Sequence, residues 1–537
     1  MRGFRLQRFL KVDHVPVVLE THRHVLDRLT GVEPDFQFVP GIHHFQLQLG
    51  LHIVQRARHT AQIVDRRVFE TVDHPVAGPL PYAAREFLTA SYEPRIARAP
   101  LLGEHTKEVL AEPPGARPAR PSKRDGRRPL EHIKVLDITA AYAGPFAGEI
   151  LAALGAEVMH VESHLRPDVS RFIHPAPAGT GHPEDRASYF SQHNQGKLDL
   201  NINLSEKAGR DVLLRLVPHV DVILNNFSAR VLENWGYTLD KLSALNPGII
   251  LVGMPSFGAT GPDSGWVCYG EALEAASGLV RARGYSPEEP IRSGTAYPDS
   301  IGGITAAHAI LTGIAYRRKN GRGISIDCSQ REGCLRLMGE GFLEYAMIGR
   351  EPGIWENRHP LYAPHGTYPA RDGEWLAVAV TTDTEWRALC DVIGRTDLAT
   401  DPRFANSPGR VAARDEVDGA VAAWVAGQDY REAQRLLMAA GVPAGAVLLA
   451  SAVIEDEHMV SRNFYRTMDH PAIGTHKVHS VPFRFSAAGP VPTERAPLYD
   501  EHSRALLRRY AGVDEREYAE LVAAGLTGHR PEMIEHM

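Results

Sequence analysis

The sequence predicts an α/β protein, a doubly wound parallel-sheet large domain joined to a smaller α+β domain, and three observations carry that reading. First, "HIKVLDI" (132–138) and "EVMHVES" (157–163) are apolar, strand-like runs, and "GPFAGEILAALGA" (144–156) between them spaces Phe146, Ile150, Leu151 and Leu154 along one helical face. This is a βαβ unit. Second, the alternation continues. "SEKAGRDVLLRLVPHV" (205–220), with Ser205 as its N-cap, leads into "DVILNNF" (221–227), then a short helix, then "GIILVGMPSF" (248–257), and "GRGISIDCSQ" (321–330) adds a later buried strand. Strands alternating with helices require a parallel sheet covered on both faces. Third, residues from about 365 to 455 again mix a strand ("EWLAVAV") with helices ("TEWRALCDVIG", "YREAQRLLMAAG"), which defines the smaller domain.

Ahead of the sheet, residues 111–130, "AEPPGARPARPSKRDGRRPL", are rich in Pro, Arg and Gly without periodicity, the composition of a solvated linker. On either side of it stands an internal repeat. "TVDHPVAGPL" (71–80) and "RAPLLGEHTKEVL" (98–110) are matched near the other end by "TMDHPAIGTH" (467–476) and "RAPLYDEHSRALL" (495–507). Both members of each pair are domain tails, so residues 66–110 are read as the remnant of an upstream tail. Their deletion together with residues 1–65 is expected to leave activity largely unchanged. Residues 1–65 show no strong periodicity and are left unassigned. Their His43-His44 pair has no accompanying carboxylates or cysteines, and no metal site is assigned.

Composition narrows the function. A formal charge of −6 provides no basic field for nucleic acid or an anionic membrane, so a small-molecule substrate is expected and neither of those partners is. The four cysteines lack CxxC spacing, which argues against a disulfide framework or a zinc site and for a cytoplasmic setting. The N-terminus lacks an apolar signal core, and no apolar run is long enough to span a membrane.

In a sheet of this kind ligands bind beyond the carboxyl ends of the strands. The loops there are "TAAYAGPF", "NNFSARV" and "GWVCYGEALEAASG", none of which contains GxGxxG, so a dinucleotide is poorly supported. Ala143-Gly144-Pro145 opens a helix and fits either an anion-binding helix start or a plain turn. Taken in order, "VLDITAAYAGPFAGEILAALGAEVMHVE", "NQGKLDLNINLSEKAGRDVLLRL", "DVILNNFSARVLENWGY", "LNPGIILVGMPSFGATGP", "YPDSIGG", "GRGISIDCSQREG", "APHGTYPARDGEWLAVAV" and "RAPLYDEHSRALL" resemble the family III CoA-transferases over about residues 130–525. That family includes formyl-CoA:oxalate and carnitine CoA-transferases and also α-methylacyl-CoA racemases. The resemblance implies a large domain over 131–350, a small domain over 360–455 and a C-terminal segment (456–525) that returns to the large domain. It further implies an interlocked homodimer, acyl-CoA as substrate rather than a permanently bound cofactor, and a carboxylic acid as acceptor.

The resemblance also assigns residues. Asp299 in "YPDSIGG" matches the family's nucleophile, and a carboxylate can attack a thioester to give a mixed anhydride. By position alone Asp299 is equally an N-cap of the helix that follows. The two roles are compatible, because a helix N-terminus would hold the carboxylate ionised. Glu271 matches a glutamate near the nucleophile. Tyr142 stands where some members have a glutamine, beside Ala143. Asn226, Phe227 and Ser228 match a turn bordering CoA, Ile202, Asn203, Leu204 and Ser205 match its adenine side, and Tyr269 and Gly270 complete the candidate CoA site. Basic residues that hold CoA phosphates in some members are replaced by Ser205, Asn234 and Cys268, which leaves Arg166, Arg171 or Arg230 to substitute. Racemases of the family place a histidine where Tyr269 stands, and residues 258–307 contain none, so transfer is favoured over racemisation. A CoA-binding protein without catalysis is the third reading.

Overall fold

The computed structural model describes residues 60–93, 96–113, 115, 128–173, 181–286, 288–486 and 494–531. His43, His44 and most of the 111–130 linker lie outside the described residues. Two units are formed, one from residues up to 279 with 293–351 and 466 onwards, the other from 280–292 and 352–465. The sequence reading placed 131–350 in one continuous domain. The structure instead assigns 280–292 to the second unit, and the first includes residues 60–113 as well as the C-terminal segment from 466.

The first unit begins with a hairpin, β1 (Phe69–His74) paired antiparallel with β2 (Gly78–Ala83). Its main sheet contains β3 (Lys134–Ile138), β4 (Glu157–Glu162), β5 (Leu198–Asn201), β6 (Val222–Asn225) and β7 (Ile250–Gly253). After the short pair β8 (Gly284–Ser286) and β9 (Glu289–Pro290) of the second unit, β10 (Ile324–Asp327) completes it. The order is β10-β7-β6-β3-β4-β5, with every neighbouring pair parallel. Alternate residues of the inner strands enter opposite cores. Leu136, Ile138, Met159 and Ile223 face one, and Val135, Val158, Val222 and Leu224 face the other. The chain starts at β3, runs outward to β5, then recrosses to β6, so the loops after β3 and β6 flank the point where strand order reverses.

The helix Tyr297–Asn320 is fixed at both ends by its sequence. Pro298 sits in its first turn, Gly321 ends it at φ 71°, and Arg317, Arg318 and Lys319 complement the dipole of the last turn. Its buried face is mostly small: Gly302, Gly303, Ala306, Ala307 and Ala309. A side chain at Gly303 would meet the Ala143 carbonyl at 2.7 Å, so this stripe allows the helix to lie against Ala143–Ala153 and brings its N-terminus to the loop after β3.

The second unit has its own core. Strands β11 (His365–Pro369), β12 (Trp375–Ala379) and β13 (Ala444–Val447) form an antiparallel sheet against the helices Asp383–Val392, Arg414–Val425 and Tyr430–Ala439, with Trp386, Leu389, Val417, Val421 and Leu437 buried between. A capping box, Thr382 with Glu385, starts the first of these helices. The chain then forms β14 (Tyr465–His470) and β15 (Gly474–His479), and residues 496–513 close over β5, the edge of the main sheet. There Asp199 N–H donates to His502 Nδ1 (3.2 Å), Asn201 N–H donates to Ser503 Oγ (2.8 Å), and Leu506 and Leu507 enter the core. Among the described residues no helix is long and apolar enough to cross a membrane.

The described start of the N-terminal segment is built into this unit through Gln62, Arg66 and Phe69. Gln62 Nε2 donates to the carbonyls of Phe257 (2.7 Å) and Thr260 (2.8 Å), and the Phe69 ring packs edge-on against Phe342. The fully buried Arg66 guanidinium donates to Glu332, to Asp327 (2.6 Å) and to Thr260 Oγ1 (2.8 Å). It is the partner that keeps the buried Glu332 carboxylate from being an isolated charge.

Candidate active site

The loop after β3 is held in an unusual conformation. Ala141 has φ 72°, a region that non-glycine residues rarely occupy. Two side chains hold it there: Asp168 accepts from Ala141 N–H (2.9 Å), and Asn226 accepts from Ala140 N–H (3.1 Å) while donating to Ala140 O (2.7 Å). Below lies a compensated buried cluster. Lys197 Nζ donates to Asp137 (2.8 Å), Pro145 O (2.8 Å) and Asn194 (2.8 Å). His160 lies between Asp137 (3.6 Å) and Asp168 (3.4 Å), and these carboxylates raise its pKa to about 10 despite burial. The next residue, Tyr142, shares a 2.7 Å hydrogen bond with Ser300 Oγ. Its ring stacks on His193 at 4.1 Å between centroids and meets Tyr189 edge-on.

That bond joins the loop to Asp299, which precedes Ser300 in the first turn of its helix. Asp299 is half-buried, and the preceding Ala296, not Asp299, is the N-cap residue. The carboxylate lies against Gly270, where any side chain would overlap Asp299 Oδ2. Among the described residues no hydrogen bond reaches the carboxylate, and its pKa is pushed up to about 7, first by burial and then by the charge of Glu271. The expectation that the helix N-terminus keeps Asp299 ionised is therefore reversed in sign. Desolvation and a like charge outweigh the dipole. Glu271 itself is exposed one residue after Gly270. For the Asp299 nucleophile proposed below, only the ionised carboxylate attacks, so turnover is expected to fall as pH drops through about 7. Glu271→Gln, which removes the like charge, should move that acid limb to lower pH, as read from the pH profile of kcat/KM.

The other predicted residues divide into two groups. Tyr142, Ala143, Tyr269, Gly270, Glu271 and Asp299 come together, as Tyr142 and Tyr269 both have their pKa values raised by burial and by the charge of Asp299. Phe227 and Ser228 lie partly exposed on the neighbouring loop beyond β6. Asn226 shares that loop, but its amide is taken up by Ala140, so it shapes the turn rather than presenting a free group. Ile202, Asn203 and Leu204 leave the carboxyl end of β5 buried. Asn203 N–H donates to Leu526 O (2.9 Å), its side chain accepts from Ser205 N–H (3.0 Å), and only Ser205 of the four is exposed.

Arg171 is a correction. Its guanidinium is fully buried, held by Glu162, Asp199 (3.1 Å) and Asp185 (3.4 Å) and placed over the Phe190 ring, so it is a core ion and not a phosphate ligand. Arg166 and Arg230 are the two candidates that remain exposed beyond the strand ends. Gly144 is likewise resolved toward the plain turn. A side chain there would overlap Thr139, so the glycine serves packing inside the turn.

Sequence reasoning missed three residues. Tyr189 and His193, four apart on the helix Ser188–His193, line the site beside Tyr142, and the Tyr189 pKa is pushed up to about 12 by burial and by charges that include Asp299. The i, i+4 aromatic spacing in "SYFSQH" was the available signal. Glu274, buried, accepts from Ser293 N–H and Oγ (both 3.1 Å) and so holds the loop leading to Asp299.

A half-buried carboxylate beside the strand-order switch point of an open α/β sheet marks a candidate enzyme site. The chain belongs to CoA-transferase family III, whose profile matches residues 130–503. It is similar to the succinyl-CoA–D-citramalate CoA-transferase of Chloroflexus aurantiacus (33% identical over 396 residues, 74% of this chain and 97% of that protein). It is also similar to the acetyl-CoA:oxalate CoA-transferase of Acetobacter aceti (30% over 399 residues, 74% and 99%). A longer relative from Mycobacterium tuberculosis is 32% identical over 433 residues, and the match spans 79% of this chain but 53% of that one. Among solved structures, a CaiB/BaiF family protein from Brucella suis superposes with a TM-score of 0.64 at 28% identity, over 71% of this chain and 99% of that one. The enzyme is a CoA-transferase, with CoA thioesters as substrates rather than resident cofactors.

Proposed function

We propose that the protein exchanges CoA between an acyl-CoA and a free carboxylic acid through a covalent intermediate on Asp299. The observation that supports this reading is the Asp299 carboxylate itself: half-buried, paired with no cation among the described residues and backed by Gly270. In the first step an Asp299 oxygen attacks the thioester carbonyl, the C–S bond breaks, and CoA thiolate leaves a mixed anhydride. The thiolate then attacks the Asp299 carbonyl, releasing the donor acid and forming an aspartyl-CoA thioester. The acceptor carboxylate repeats the sequence in reverse, so the products are the new acyl-CoA, the donor acid and regenerated Asp299. Each step keeps an activated acyl bond, so the thioester energy is carried from donor to acceptor. Tyr142, held by Ser300, stands beside the reacting carboxylate as a hydrogen-bonding group. Arg166 and Arg230 are the proposed partners of the CoA phosphates. The relatives named above carry D-citramalate and oxalate in their names, which makes small dicarboxylic acids the first acceptors to assay.

Transfer is favoured over racemisation by the chemistry around Asp299. Racemisation needs a proton-transfer group on each face of the α-carbon. Tyr269 has its pKa raised by burial and by Asp299, which keeps its phenol protonated and unable to take the α-proton at neutral pH, and the pKa of His193 is lowered to about 3 by burial. An acyl-CoA with an α-stereocentre, incubated in deuterated water without acceptor, is expected to show no enzyme-dependent α-exchange by mass spectrometry. Exchange at a rate comparable to transfer overturns the assignment.

A further inference from the structure

The internal repeat is reproduced in atomic detail, with one difference. Arg67 and Asn463 share a left-handed conformation (φ 49° and 50°), each following a short helix, Ala61–Asp65 and Glu457–Ser461. His74 Nδ1 accepts from the N–H groups of Val76 and Ala77, and His470 Nδ1 accepts from those of Ala472 and Ile473. Further on, Arg98 donates to Glu104 (2.8 Å) and to Ala99 O (3.0 Å), while Glu104 accepts from Leu101 N–H (2.7 Å). Arg495 donates to Glu501 (2.8 Å) and Ala496 O (3.0 Å), while Glu501 accepts from Leu498 N–H (2.8 Å). Gly103 and Asp500 both turn the chain at positive φ (75° and 62°).

The difference lies in what each copy covers. Tyr499, Ser503, Leu506 and Leu507 are buried on the β5 edge, each at most 4% exposed. Their counterparts are Leu102, Thr106, Val109 and Leu110. All four are exposed, Val109 at 62% and Leu110 at 80%, and every residue from 99 to 113 is exposed. A segment already folded into the shape of a docked one, with its apolar side chains in water, marks an interaction surface. The docked copy shows what that surface fits.

We propose that residues 98–111 dock on a second large domain of this same fold, one whose edge strand equivalent to β5 is not covered by a tail of its own. His105 and Thr106 retain the acceptors through which His502 and Ser503 take the N–H groups of Asp199 and Asn201, and Val109 and Leu110 replace Leu506 and Leu507 in the apolar contact. The partner's edge therefore carries two outward N–H groups over an apolar floor. A second copy of this chain does not fit, since its own residues 496–511 cover that edge. With Arg66 anchored in this large domain and 98–111 on the other, residues 60–111 tie the two together.

The first test uses the full-length chain as donor. The recipient is the same chain cut after Ser486 and carrying Leu110→Asp, so that its β5 edge is bare and its own docking segment spoiled. A one-to-one complex is expected by sedimentation velocity, weakened at least tenfold by Leu110→Asp in the donor. Absence of a complex between folded partners, a complex indifferent to that change, or self-association of the full-length chain through 98–111 overturns the proposal. Because the cut chain can fail to fold, a second test stays within one chain: residues 495–508 are replaced by the sequence of 98–111. The graft is expected to fold and keep transfer activity, and adding Leu507→Asp to it should abolish both. A graft that does not fold overturns the proposal as well.

Discussion

Asp299→Ala is expected to lower the rate of CoA transfer by roughly 10⁴- to 10⁶-fold, the scale of removing a covalent nucleophile, while leaving the fold intact. The carboxylate accepts no hydrogen bond among the described residues and is not the N-cap of its helix, so alanine leaves no buried partner unsatisfied. The pKa shift gives a second signature. The Asp299 carboxyl titrates near 3.8 when unfolded and near 7 when folded, so between those pH values the folded chain holds more protons than the unfolded one. The stability contributed by this group is thus fully present below about 3.8 and is lost as pH rises to 7. The alanine variant lacks that slope, and at pH 8 it should melt no lower than the parent. Asp299→Asn, of the same shape without the charge, should be equally inactive. Near-parental turnover in either variant removes Asp299 from the chemistry.

Arg66→Ala is expected to destabilise the first unit by about 3–5 kcal/mol, since it leaves Glu332 buried without its cation and Asp327 without its closest one. Chemical denaturation measures this directly. Arg66→Lys should restore only part of the loss, because an ammonium cannot reach Glu332, Asp327 and Thr260 with one planar fork. If the cost is an unpaired charge, Glu332→Gln in the Arg66→Ala background should recover stability. An unchanged midpoint for Arg66→Ala would return residues 60–110 to the status of a dispensable remnant.

Five of the six strands of the main sheet were legible because they are spelled as apolar runs, "KVLDI", "VILN" and "ILVG" among them, whereas the edge strand β5, "LDLN", alternates polar residues and was not read. In the second unit the strand "EWLAVAV" and the helices "TEWRALCDVIG" and "YREAQRLLMAAG" were legible, whereas β11, β13 and the helix Arg414–Val425 were not read. What escaped was whatever depends on contacts between distant residues. Arg66 sits in a segment with weak periodicity, and nothing local reveals that Asp327 and Glu332, more than 250 residues away, complete it. Arg171 was legible as a cation and misread as a ligand, since sequence does not show three carboxylates converging on it in the core. The electrostatics of Asp299 were not legible either. The dipole of its helix is visible in "YPDSIGG", whereas the desolvation produced by packing against Gly270 appears only in three dimensions.

The account's central claim is that acyl transfer passes through the Asp299 carboxyl. The most direct measurement incubates the enzyme with an acyl-CoA and no acceptor, quenches with hydroxylamine, and maps the modified peptide by mass spectrometry. Hydroxylamine attacks the activated aspartyl carbonyl of either the anhydride or the CoA thioester and leaves a hydroxamate. The predicted result is a hydroxamate on Asp299, dependent on the acyl-CoA and absent from Asp299→Asn. A preparation that transfers CoA once an acceptor acid is supplied, yet leaves Asp299 unmodified without it or carries the hydroxamate on Glu271 instead, contradicts the claim.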